Sequence, residues 1–238
     1  MYELQHVVPP EPECSASTTW LGVKPLARGF APYPVHMLAR VRRLVGRLIL
    51  AALRMRLIDE NPGARRPLVI AAPHTSYADA VMLVGMVWST GYNVRAMVEK
   101  RFFVGPFDRF FRSIGGIPID RKNPTGVIEE FTALLGDPSV MLVIAPEGTR
   151  SKREYWKSGF YRIARGAGVS VTLGYIDMRS RVCGLGPSIE LTGDVAADME
   201  VIRAFYAGKT GWKRGQETPP RLSSEPRDDR ELNPAQRR

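Results

Sequence analysis

The chain has 238 residues and a formal net charge of +10, with 34 basic against 24 acidic side chains. That length supports one domain with a full core and polar flanks, and the charge calls for an anionic partner: nucleic acid, a phosphorylated substrate or an acidic membrane surface. Two cysteines, Cys14 and Cys183, make no Cys-x-x-Cys pair, which excludes a disulfide framework, a thiolate metal site and a redox motif.

Residues 1–35 are rich in Pro, Ser and Thr and keep no period, so they read as an irregular leader without chemistry. No basic region followed by an apolar signal core opens the chain, and the longest apolar run, Ala80 to Trp88, is about half what a spanning helix needs. Neither export nor a membrane span is expected. Over residues 36–58 Met37, Val41, Leu44, Leu48, Ala52 and Met55 recur at steps of three and four, with Arg40, Arg43, Arg47 and Arg54 on another face. This is a basic amphipathic helix. It fits an in-plane position at an anionic membrane, arginines on phosphates and apolar stripe in the acyl boundary; an ordinary surface helix packed on the core has the same pattern.

Asn61-Pro62-Gly63 marks a turn into the apolar run from Leu68 to Ala72, a buried strand closed by Pro73. His74 then stands at the strand exit, where open α/β sheets place ligands, and Ser76 starts a helix to Trp88. His74 and Asp79 on one helix would point about 140° apart, but a loop histidine before a helix carrying Asp79 in its first turn is within that carboxylate's reach. Two readings fit. In one, Asp79 fixes the imidazole tautomer while His74 takes a proton from a hydroxyl; in the other, Ser76 and Asp79 only cap the helix.

Val94 to Val98 reads as a strand, followed by Lys100 and by Phe102, Phe103, Phe107, Phe110 and Phe111 interleaved with Arg109 and Arg112. Such rings are core, the wall of an acyl-chain pocket, or base-stacking platforms. Ile117-Pro118-Ile119 is a short strand placed at an edge or end by its proline, with Arg121 at its exit as a phosphate ligand or a partner of Asp120. A helix over 124–135 and a strand over 140–145 lead to Glu147, Gly148, Thr149 and Arg150, an acid, a glycine, a hydroxyl and an arginine in one loop. Glu147 can accept bonds from substrate hydroxyls, Gly148 lets the backbone close in, and Arg150 can grip a phosphate through two parallel hydrogen bonds. A capped turn with a local ion pair is the plainer alternative.

A helix from Ser158 to about Gly168, strands over 169–175 and 188–191, and a helix over 199–207 complete the domain, 36–210. Gly208-Lys209-Thr210 is no P-loop, because Arg203 stands where that pattern needs glycine. Residues 211–238 are Pro-rich and charged and are expected to be a disordered tail. The alternation of strands and helices gives an α/β fold, a largely parallel central sheet flanked by helices, with the candidate loops at strand exits.

The ordered set resembles the glycerolipid acyltransferase family of the PlsC type: His74-Thr-Ser-Tyr-Ala-Asp79 its first motif, Gly115 to Arg121 its second, Pro146 to Arg150 its third, and Lys157-Ser158-Gly159-Phe160 its Lys-x-Gly segment. The resemblance covers about residues 36–207. Pro73, Ala145, Pro118 and Ser170 depart from the family pattern. The resemblance implies transfer of a fatty acyl group from acyl-CoA or acyl-carrier protein to a hydroxyl of 1-acylglycerol 3-phosphate, or to another lysophospholipid or polyol-linked lipid. It implies His74 and Asp79 as the catalytic pair, Arg121 and Arg150 on the acceptor phosphate, Lys100 as a second phosphate or an oxyanion partner, Glu147 on the glycerol oxygens with Gly148 giving access, and Thr149 among the substrate-binding residues. No metal and no bound cofactor are expected. The place implied is the cytoplasmic face of a membrane, held peripherally and with no nucleic-acid partner. A hydrolase lacks its Gly-x-Ser-x-Gly elbow here, whereas a non-catalytic basic protein that binds membranes or nucleic acid would leave His74, Asp79 and Glu147 without work.

Overall fold

A computed structural model describes residues 35–119 and 124–225. The leader up to Pro34, Arg121 with its neighbours Asp120, Lys122 and Asn123, and the tail beyond Glu225 lie outside the described residues. Seven strands form one sheet: β1 (Arg56–Asp59), β2 (Leu68–Ala72), β3 (Val94–Glu99), β4 (Gly116–Ile119), β5 (Met141–Ile144), β6 (Val171–Asp177) and β7 (Val182–Ile189), in the order β1-β7-β6-β2-β5-β3-β4. Every neighbouring pair is parallel except β6 with β7, as the largely parallel expectation required. The central pair β2 and β5 reads Leu-Val-Ile-Ala-Ala and Met-Leu-Val-Ile, apolar on both faces because both faces are covered.

One face carries α4 (Pro124–Leu134), α5 (Gly159–Ala167) and α6 (Val195–Tyr206). There Phe131, Phe160, Ile163, Met199 and Ile202 pack without exposure against Leu68, Ile70, Leu142 and Leu173. Burying each such side chain stabilises the fold by about 1.5–3 kcal/mol. The other face carries α2 (Tyr77–Thr90), whose Leu83 and Val87 meet Val69, Val94, Met141 and Val143. Ser76 caps α2 at its start and Gly91, with φ 78°, ends it in the left-handed conformation.

The first helix, α1 (Val35–Ala52), is shorter than the 36–58 expected, since Arg56 to Asp59 leave it to become the edge strand β1. Its packing face also differs from the expected stripe. Gly46 and Leu50 are buried, and a Cβ on Gly46 would lie 2.6 Å from the backbone nitrogen of Ser89 in α2. Val41, Leu44 and Leu48 stay 49%, 59% and 58% exposed. The helix therefore has three sectors, one packed on α2, one apolar and uncovered, and one of exposed Arg40, Arg43 and Arg47.

Three further boundaries move. β7 begins at Val182 rather than 188, pairing back onto β6, and α6 begins at Val195, four residues early, because Asp194 caps it by accepting from Ala196 and Ala197. Residues 211–225 are part of the fold, not of a disordered tail: Leu222 is 1% exposed in the main core, and Thr218 is buried.

Candidate active site

The loop after β2 is held by two carboxyl groups before any chemistry is considered. The His74 backbone nitrogen donates to Glu147 Oε1 at 2.8 Å. Thr75 and Ser76 donate their backbone nitrogens to Asp79 Oδ2 at 2.6 and 2.7 Å. Asp79 and Ser76 complete a capping box, so the capping reading holds. The same Asp79 Oδ2 also lies 3.6 Å from His74 Nδ1, the placement that the catalytic reading needs. One carboxylate thus shapes the loop and faces the imidazole. The separation is just beyond hydrogen-bond range, and such contacts in unliganded sites commonly tighten when substrate binds.

The electrostatics set the protonation states of the three groups. Burial, then the Arg150 cation, pushes the His74 imidazole down to about 4, so the ring is neutral and able to accept a proton at neutral pH. Burial raises Asp79 to about 6 against the opposing bonds from Ser76 and Thr75 and the Arg150 charge, which leaves it mostly ionised there. Burial also raises Glu147 to about 8, with the Asp79 and Glu217 carboxylates adding to the shift, so Glu147 is mostly protonated at pH 7.

The loop after β5 divides its residues between two depths. Glu147, expected on the substrate, is 1% exposed. It sits behind the His74 loop, where it bonds a backbone N–H, and it does not line the adjoining cavity. Arg150 lies on the open side, its guanidinium 3.8 Å from the centre of the Tyr77 ring and Nη2 donating to the Tyr77 hydroxyl at 2.9 Å. Gly148 takes φ 65°, and a Cβ there would come 3.1 Å from Lys157 Cγ. Gly148, Thr149 and Arg150 all line the cavity.

That cavity has a volume of about 1020 Å³ and is bordered by His74, Asp79 and Tyr77. Its walls are mostly apolar, with Val69, Leu83, Val94, Met141 and Val143 from the sheet and α2, and Phe102, Phe107 and Phe111 from the aromatic stretch. Phe102, Phe107 and Phe111 are therefore cavity wall, while Phe103 and Phe110 do not line it. The rings stack on one another, Phe102 and Phe103 lying 6.0 and 5.7 Å from Phe111. A short 3-10 turn, Lys100–Phe102, precedes α3 (Pro106–Ser113). Lys100 is exposed, and it is its neighbour Arg101 that joins Lys157 and Arg162 in the lining. The sequence reading passed over Arg101, Arg162 and Tyr77; the position of Tyr77 inside the His-x4-Asp segment, with Arg150 two motifs away, was the available signal. Among the described residues no group of His, Cys, Asp and Glu could hold a metal ion.

The family model Acyltransferase matches residues 54–173. Among solved structures, the chain is similar to the 1-acyl-sn-glycerophosphate (LPA) acyltransferase PlsC of Thermotoga maritima. Identity is 16%, the match covers 66% of this chain and 71% of that one, and the TM-score is 0.44. No curated protein sequence matches the chain.

Proposed function

The chain belongs to the Acyltransferase family, and we propose that it transfers a fatty acyl group from acyl-CoA or acyl-carrier protein to the free hydroxyl of 1-acylglycerol 3-phosphate. The observation that carries this reading is the neutral His74, backed by Asp79, at the border of a large apolar cavity that also holds the cations Arg101, Arg150, Lys157 and Arg162. An apolar lumen accommodates acyl chains, and guanidinium and ammonium groups hold a phosphate.

His74 Nε2 accepts the proton of the acceptor hydroxyl as its oxygen attacks the thioester carbonyl carbon. Asp79 stabilises the imidazolium through Nδ1. The tetrahedral intermediate collapses with cleavage of the carbon–sulfur bond, and the thiolate leaves, taking the proton from His74. A thiol pKa near about 8.5 makes that departure easy without a metal or separate acid. Proton transfer of this kind is worth roughly 10²- to 10⁴-fold.

The reaction is read as occurring on an anionic membrane surface, with the chain held peripherally on its cytoplasmic face. The uncovered apolar sector of α1, flanked by exposed arginines, supports this, as do Val104, Phe107 and Phe110 around α3, each at least 46% exposed beside the cavity. No helix among the described residues is long and apolar enough to cross a membrane. Replacing both Leu44 and Leu48 by Ser should weaken cosedimentation with anionic vesicles at least tenfold and leave the melting temperature within about 2 °C, because neither leucine packs in the fold.

The deciding experiment follows free thiol and lipid product from an acyl thioester on anionic vesicles, with and without 1-acylglycerol 3-phosphate. Acceptor-dependent thiol release with phosphatidate formed, and at least 100-fold slower in His74→Ala, is the expected result. Thiol release without acceptor would make the chain a thioesterase, and full activity in His74→Ala would overturn the mechanism.

A further inference from the structure

The stretch after α6 crosses the carboxyl ends of three neighbouring strands in turn. After β6, the Thr210 nitrogen donates to Asp177 Oδ1 at 3.1 Å and its carbonyl accepts from Met178 at 2.8 Å. After β2, the Lys213 nitrogen donates to Thr75 Oγ1 at 3.0 Å. After β5, Thr218 accepts from the Arg153 nitrogen and the Trp156 indole, both at 3.0 Å, and Leu222 pairs with Trp156 in a parallel bridge. Glu217 staples the bend between these anchors, accepting from the Gly211 and Gly215 nitrogens at 2.9 and 2.6 Å.

The middle anchor lies one residue from His74. Thr75 has no exposed surface. A Cβ on Gly211 would fall 2.5 Å from Thr75 Oγ1 and 2.6 Å from Cγ2, so only glycine allows this approach. The strap therefore touches the loop by a hydrogen bond and by close packing, on the residue whose nitrogen also holds Asp79. All of it lies beyond the residues that the family model matches.

We propose that residues 210–222 form a strap that sets the His74 loop for proton transfer, with Thr75, Gly211 and Lys213 as positioning residues; this rests on His74 being the general base of the acyl transfer proposed above. Held groups of this kind matter because a displacement of about 1 Å at a reacting atom costs up to ~100-fold in rate. Thr75→Val keeps the shape and removes the acceptor of the Lys213 N–H, whereas Thr75→Ser keeps the hydroxyl. Gly211→Ala presses on the same contact from the strap side.

The test uses the full chain and two readouts: steady-state transfer from an acyl thioester to 1-acylglycerol 3-phosphate on anionic vesicles, and the NMR resonance of the His74 ring, assigned by its loss in His74→Ala. Thr75→Val and Gly211→Ala are expected to lower kcat at least tenfold, leave both KM values within about twofold, and move the His74 resonance and its titration midpoint. Thr75→Ser is expected to stay within about threefold of the parent kcat. If the parent chain fails to turn over these substrates while Thr75→Val still moves the His74 resonance, the acyl-transfer reading falls and the strap stands. Melting temperatures that drop with kcat and the His74 resonance unchanged would mark a merely structural contact and overturn the proposal, as would a Thr75→Ser protein as impaired as Thr75→Val.

Discussion

Glu147 and Arg150 lie three residues apart in one loop, yet one is 1% exposed and bonded to the backbone of His74 while the other rests on the Tyr77 ring beside the cavity. The region behind the His74 loop contains buried Glu147, Thr75 and Gly211. The region in front contains His74, Tyr77, Arg150 and the other cavity-lining cations. Glu147 and Arg150 come from one motif, but burial behind the loop makes the acid a clamp on the backbone. Depth, not residue type, decides the role, because a carboxyl group that does not line the cavity can still fix a residue that does.

The sharpest break of that contrast is at Glu147. Glu147→Ala leaves the His74 N–H buried without its acceptor, which costs about 1–3 kcal/mol of stability and is expected to lower kcat ten- to ~100-fold with KM nearly unchanged. A rise confined to the acceptor KM would return Glu147 to the substrate side. Glu147→Gln keeps an oxygen for His74 and should hold kcat within about threefold. Its stability also has a predicted sign. Burial, with the Asp79 and Glu217 charges, raises the folded-state value of Glu147 from 4.5 to about 8. The folded chain then retains a proton that the unfolded chain releases, so its stability from this group is complete below pH 4.5 and is lost as pH rises toward 8. Glu147→Gln has no such proton and should gain on the parent steadily between pH 5 and 8 in denaturant melts.

In front of the loop the expected effect is on binding. Arg150→Ala should raise the acceptor KM about ten- to 100-fold, the worth of charge-assisted hydrogen bonds to a phosphate, with kcat changed much less. The pH profile gives a second reading of the same residue. The Arg150 cation lowers both His74 and Asp79, in each case behind the larger effect of burial. Removing it raises both, so the acid limb of kcat/KM, which belongs to the coupled pair, moves to higher pH. An unmoved limb would mean that Arg150 does not act on the pair.

Much of this was legible in the sequence where a local signal existed. The apolar runs of β2 and β5, the Ser76 cap and the strand-exit positions of His74 and Arg150 all follow from period and punctuation, and the parallel sheet follows from the alternation of elements. Short-range signals failed where distant partners decided. Arg56 to Asp59 continue a helical pattern but pair with β7. The stripe Val41, Leu44 and Leu48 has the periodicity of a packed face, yet the small Gly46 is what lets α1 approach α2. The Pro-rich composition of 211–225 says disorder, but Thr218 and Leu222 find Arg153 and Trp156 far away in the chain. Glu147 looks like a ligand because nothing local reveals that His74 is its partner.

The smallest expected effect tests how firmly the front region is held. Tyr77 is 61% exposed, and it keeps Arg150 by a hydroxyl at 2.9 Å and by its ring at 3.8 Å. Tyr77→Phe removes only the hydroxyl. A hydrogen bond this open to water contributes about 0.5–1.5 kcal/mol at most, and the ring face remains to stack the guanidinium. The acceptor KM should therefore rise by about two- to fivefold, with kcat and the melting temperature unchanged. Tyr77→Ala removes the ring as well and should approach the Arg150→Ala value. If Tyr77→Phe already matches Arg150→Ala, the hydroxyl alone sets the arginine, and the front of the site is as tightly built as the scaffold behind it.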